Sequence, residues 1–134
     1  MNTKVIKFVF AASAFYDAIL AVIFLFFARP IFNYFGVELP NHMGYLHFPA
    51  LLLVLFAWMY WRIASDPARY RNLMPYGIGL KASYCIVVLY HWATGGVPSM
   101  WIPLAWIDFI FLILFVQAWR KAEAGARPAQ HARG

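Results

Sequence analysis

Charge is what this sequence has least of. Only 12% of its 134 residues are Asp, Glu, Lys or Arg, while 64% are hydrophobic. A soluble domain is about 25% charged and about 45–50% apolar. Roughly half the charge needed to coat a water-facing surface is therefore missing. That shortage excludes a disordered chain and argues against a soluble enzyme. Cysteine is nearly absent too. The lone Cys85 cannot form an intrachain disulfide, and its neighbours Tyr84, Ile86 and Val87 make it a buried, inert thiol. No Gly-rich phosphate loop, paired-Cys motif, nucleophile elbow or helical H-E-x-x-H is present. The chain is therefore not expected to be an enzyme by itself. No internal repeat stands out.

Long apolar runs are present instead, and there are four of them. They cover residues 5–28, 45–63, 76–93 and 101–119. Each is near the ~20 residues that cross a ~30 Å hydrocarbon core. A segment in lipid must satisfy its own backbone, so the expected fold class is all-α, a transmembrane four-helix bundle. Breakers separate the runs: Arg29-Pro30 with Gly36 and Pro40, then Ser65-Asp66-Pro67, then Gly95-Gly96 with Pro98. Residues 1–121 read as one four-span membrane domain. Residues 122–134, rich in Ala, Arg, Gly and Pro, read as a disordered basic tail. Ala12-Ser13-Ala14 mimics a signal-peptide cleavage site, but the region before it is short and interrupted by Lys7. The first run is thus expected to stay as a span.

The basic residues orient the bundle. Nine of the eleven lysines and arginines flank the runs on one side: Lys4, Lys7, Arg62, Arg69, Arg71, Arg120, Lys121, Arg127 and Arg133. Arg29 alone flanks them on the other, and Lys81 falls inside the third run. The positive-inside rule then places both termini in the cytoplasm, with the protein multi-pass in the inner (plasma) membrane. The net charge of +6 thus reports topology, and no nucleic-acid partner is expected. Ile31, Phe32, Tyr34 and Phe35 in the first outer connection point to a short segment lying in the membrane interface. Lipid is the first partner, with other membrane subunits or a second copy of the chain as further ones.

Polar groups inside the spans carry what functional signal there is. Charges in hydrocarbon are costly and face the bundle interior. Asp17 lies about 18 Å past Val5, near mid-membrane. Lys81 lies about 8 Å past Tyr76 and Asp108 about 10 Å past Trp101, from opposite faces. Side chains lean toward the N-terminus of their helix. Two polar layers follow: Asp17 with Lys81 near the middle, and Asp108 with His91 and His47 farther out. The plainer reading of Asp17 and Lys81 is an ion pair that fixes helix register. The sharper one is a proton or ligand site. His47 and His91, from different helices, are candidate haem or metal ligands, although neither sits in a diagnostic motif. With Tyr84 and Asp108 they form the candidate cofactor-binding set, for quinone or haem. No separate metal site is expected.

The same residues resemble the DoxX-like small integral membrane proteins. The likeness rests on Tyr16-Asp17, Phe35-Gly36, Asp66-Pro67-Ala68-Arg69, Gly77 with Lys81, Gly95-Gly96-Val97-Pro98 and Asp108. It spans roughly residues 5–120. It implies a compact four-helix bacterial membrane protein, in a group where some members are linked to sulfur oxidation, quinone-linked electron transfer or redox stress. The leading expectation is a non-catalytic accessory subunit of a larger, redox-linked membrane complex. The alternatives are a quinone- or haem-binding electron-transfer subunit and a small proton-coupled transporter using Asp17, Lys81 and Asp108.

Overall fold

The computed structural model describes the backbone of residues 1–133 and the side chains of residues 1–122. The expectation of a disordered tail at 122–134 falls, from residue 123 onward, outside the described side chains. The chain is all-helical, with no strand among the described residues. Its helices are α1 (Thr3–Phe26), α2 (Ala28–Tyr34), α3 (Gly44–Ser65), α4 (Met74–Thr94) and α5 (Trp101–Arg133). Thr3–Phe26, Gly44–Ser65, Arg71–Thr94 and Trp101–Ala122 are long and apolar enough to cross a membrane. This is the architecture of a multi-pass membrane protein.

Local signals set the boundaries. The Asn2 side chain accepts the Val5 amide at 2.9 Å and caps α1. Gly36, at φ 66°, ends α2 in the left-handed conformation, while the Val37 amide returns to the Phe32 carbonyl at 2.8 Å. Gly96, at φ 84°, does the same after α4, its amide donating to the His91 carbonyl at 2.7 Å. The apolar cluster Ile31, Phe32, Tyr34 and Phe35 falls on the short helix α2 and its C-terminal cap. Phe32 is buried there, edge-on to Phe24 and Trp101 at 6.5 and 6.0 Å between ring centres.

Two helix pairs make up the bundle: α1 packs chiefly on α3, and α4 on α5. Small residues bring the first pair together. Ala14 and Ala21 of α1 are buried, as are Ala50, Ala57 and Ala64 of α3, and Ala28 continues the spacing at the start of α2. A seven-residue repeat of small side chains keeps one face toward the partner over successive double turns. In lipid such faces allow close backbone approach, where dispersion replaces the missing hydrophobic drive. On α4 the buried face is Met74, Gly77, Lys81, Cys85 and Val88. Tyr84 is half-buried and His91 exposed, so neither belongs to that buried face.

An aromatic core joins the pairs at one end. Phe10 stacks on Phe115 at 4.3 Å, and Tyr60 meets Phe115 edge-on at 5.1 Å. Lys4, Lys7, Arg62, Arg69, Arg71, Arg120 and Lys121 all belong to this end, where the N-terminus, the α3–α4 loop and Lys121 line a common hollow. Arg29 belongs to the opposite end. Between α3 and α4 the contact is sparse, leaving a seam along the bundle.

Candidate functional site

The three charges within the spans meet at one point. Lys81 Nζ lies 3.1 Å from Asp17 Oδ1 and 3.0 Å from Asp108 Oδ1. Lys81 and Asp17 are each 1% exposed and Asp108 is 9% exposed. The expected pairing of Asp17 with Lys81 is present. The expected outer layer of Asp108 with His91 and His47 does not form, because Asp108 turns to Lys81.

The cause is stagger between α4 and α5. Cys85 Sγ donates to the carbonyl of Ala105 at 3.5 Å, and the Tyr84 hydroxyl donates to that of Trp101 at 3.1 Å. Residue 85 is therefore level with residue 105, and residue 108 falls close to the level of residue 81. The last turn of α4 projects past the start of α5, and His91 goes with it. His91 is exposed, its ring against Tyr90 at 5.3 Å. His47 is half-buried near the start of α3. Neither histidine lines the cavity described below. Among the described residues, no cluster of three or more His, Cys, Asp or Glu is placed to hold a metal ion.

Rings surround the ammonium on its remaining sides. Lys81 Nζ lies 5.3 Å from the centre of Tyr16, 5.5 Å from Tyr60, 5.2 Å from Phe111 and 6.0 Å from Phe115. Aromatic faces attract a cation, and more strongly where water is excluded. The two carboxylates and these rings together replace the lost hydration of the amine. Sequence reasoning missed this cage. Its signal was available on α5, where Asp108, Phe111 and Phe115 recur at helical spacing.

Beside the cluster lies a cavity of about 370 Å³. All four long helices contribute to it. Tyr16, Asp17, Lys81, Tyr84 and Asp108 form its polar end, and most of the remaining wall is leucine. Phe24 and Trp101 close the end nearer α2, backed by Phe32. Pro49 and Leu52 belong to the wall and are exposed, so the cavity opens at the α3–α4 seam. Pro49 cannot donate to the carbonyl of the preceding turn, which loosens α3 at that opening.

Two buried polar atoms on this wall lack a hydrogen-bond partner: the Tyr16 hydroxyl and Asp17 Oδ2. Buried polar groups are nearly always satisfied, so such a pair marks a place where another molecule supplies the partner. One can donate and the other can accept. A volume of this size, mostly apolar with a few convergent polar groups, has the character of a small-molecule site.

No protein-family model matches the sequence, and no curated protein or solved structure matches it. The assignment of a function therefore rests on the site itself.

Proposed function

We propose that the chain holds a lipid-soluble small molecule with a hydrogen-bonding head, of the quinone class, in the cavity beside Asp17, Lys81 and Asp108. The observation that carries this reading is the unpartnered Tyr16 hydroxyl and Asp17 Oδ2 on the wall of an otherwise apolar cavity open to lipid. The Tyr16 hydroxyl would donate to a carbonyl of the oxidised quinone, and Asp17 Oδ2 would accept from a hydroxyl of the reduced quinol. A bound quinone supplies two-electron, two-proton redox chemistry. Lys81 holds Asp17 in place and keeps its second oxygen turned elsewhere. The leucines exclude water and suit an apolar ring and the start of its tail.

Of the expected set, Tyr84 and Asp108 belong to this site, while His47 and His91 stand apart from it. The haem version draws no support from this cavity, because neither His47 nor His91, the ligands expected for it, lines it. The accessory-subunit reading draws no separate support: the exposed apolar side chains that a partner subunit would cover are also those that lipid covers. In the reading proposed here the protein sits in a bacterial inner membrane with both termini in the cytoplasm. The charge asymmetry of the two bundle ends supports that orientation, and the DoxX-like pattern supports the redox setting.

The test is binding of a decyl-substituted benzoquinone to the purified protein in mild detergent, followed by calorimetry. Saturable binding is expected, weakened about tenfold in Tyr16→Phe, equivalent to about 1.4 kcal/mol for one hydrogen bond. Absence of saturable binding, or an affinity in Tyr16→Phe equal to that of the parent, would overturn the reading.

A further inference from the structure

A second hollow opens along the same α3–α4 seam, in the half nearer the basic end. It measures about 450 Å³. Leu55, Phe56, Met59 and Leu73 give it an apolar wall, and Arg62 with Tyr70 closes the end toward the α3–α4 loop. It shares no residue with the cavity beside Lys81.

The closing end is built to gather positive charge. The Arg62 guanidinium donates to the Tyr70 hydroxyl at 2.8 Å and lies 5.1 Å from the centre of that ring. The Arg69 guanidinium lies 5.3 Å from the same ring centre. Two cations thus converge on one tyrosine. No carboxylate among the described residues makes an ion pair with either. Asp66, the nearest acid in sequence, is engaged through Oδ1 by the backbone amide of Arg69 at 3.3 Å. With one carboxylate against two guanidinium groups, this end keeps a net positive charge. An anion at the mouth of the groove would accept charge-assisted hydrogen bonds from Arg62, which lines it, and be attracted by Arg69, which stands just outside against the same ring.

We infer that this groove is a binding site for one anionic phospholipid, its phosphate held by Arg62 and Arg69 and one acyl chain lying along Leu55, Phe56, Met59 and Leu73. The apolar wall selects the lipid over a free phosphate. From Leu55 to Arg62 the helix rises about 10.5 Å, so the wall accommodates the headgroup-proximal part of a chain. Arg62, three residues from the end of α3, stands where a lipid phosphate lies. The exposed Trp58 and Tyr76 flank the groove as interfacial anchors. The site is independent of any ligand beside Lys81.

Thermal unfolding of the full chain in neutral detergent tests this. Three probes are added separately: phosphatidylglycerol, phosphatidylcholine with the same acyl chains, and glycerol 3-phosphate. Phosphatidylglycerol is expected to raise the melting temperature saturably, with little effect from the other two. The double variant Arg62→Gln, Arg69→Gln is expected to need at least tenfold more phosphatidylglycerol for the same rise. Leu73→Trp, which fills the groove and leaves both arginines, should abolish it. Lys4→Gln with Lys7→Gln removes two charges from the same end and should leave it intact. Three results would overturn the inference: an equal rise with phosphatidylcholine, an equal rise with glycerol 3-phosphate, or equal weakening in the Lys4, Lys7 variant. Should the arginine variant fail to fold, Leu73→Trp decides alone, and an undiminished rise there rejects the site.

Discussion

Lys81 and Asp17 form the ionic tie between the two helix pairs, at 3.1 Å across the middle of the bundle. Asp17 belongs to the α1–α3 pair, and Lys81 to the α4–α5 pair together with its second partner Asp108. One ammonium thus serves a contact within its own pair and a contact between the pairs. Removing one member of a buried ionic group costs about 3–5 kcal/mol, because the charge left behind has no partner. Lys81→Met strands two carboxylates at once, so it is expected to lower stability by about that amount or more. Adding Asp17→Asn and Asp108→Asn to Lys81→Met should recover most of the loss. Thermal unfolding of the single and triple variants in detergent checks this, and a Lys81→Met protein that melts like the parent would refute it.

At Gly77, α4 lies close against Tyr60 of α3. A Cβ at this position would lie 2.7 Å from Tyr60 Cε1 and 3.4 Å from Phe115 Cε2. Tyr60 is fully buried, and its hydroxyl donates to the Gly77 carbonyl at 3.4 Å, so the ring has no room to retreat. Gly77→Ala is expected to cost about 1–3 kcal/mol by overpacking. Tyr60→Leu in the same chain should relieve the clash, so the two substitutions together cost less than their sum. A double-mutant cycle on melting temperature gives the sign of that coupling.

Much of this was legible in the sequence, and the limits are physical. Four apolar runs near 20 residues specify four spans, because lipid permits almost nothing else. The α2 segment announced itself through Ile31, Phe32, Tyr34 and Phe35. The Asp17–Lys81 contact followed from depth, since two opposite charges in hydrocarbon seek each other. The place of Asp108 did not follow. Counting depth from the span ends assumes that neighbouring helices begin and end level, and the tight link from Gly95 to Met100 lets α5 start below the end of α4. Nothing in the residues of that link states the offset. The cavity was not legible either, because it arises from the sparse α3–α4 contact and no single residue signals a missing neighbour.

The repeated alanines facing each other on α1 and α3 make a graded prediction. Ala57 is 7% exposed on the inner face of α3, while Val54, one turn earlier, is 45% exposed. Ala57→Leu must push the two helices apart and is expected to cost about 1–3 kcal/mol. Val54→Leu adds bulk toward lipid, where surface substitutions stay within about 0.5 kcal/mol. If both variants melt alike, the seven-residue repeat does not set the helix distance.

Filling the cavity beside Lys81 separates a binding site from a packing defect, since the two give different patterns. Leu53 lines the cavity and is half-buried on α3. Leu53→Phe extends an apolar side chain into the space without touching Asp17, Lys81 or Tyr16. Cavity filling commonly raises stability by about 0.5–2 kcal/mol. In the ligand-free protein Leu53→Phe should therefore raise the melting temperature. The same ring occupies the volume a ligand needs, so binding of the decyl-substituted benzoquinone should fall at least tenfold. A rise in stability with binding unchanged would place the ligand elsewhere. A fall in stability would show that the cavity walls are already close enough for a larger ring to strain them, contrary to a hollow of about 370 Å³.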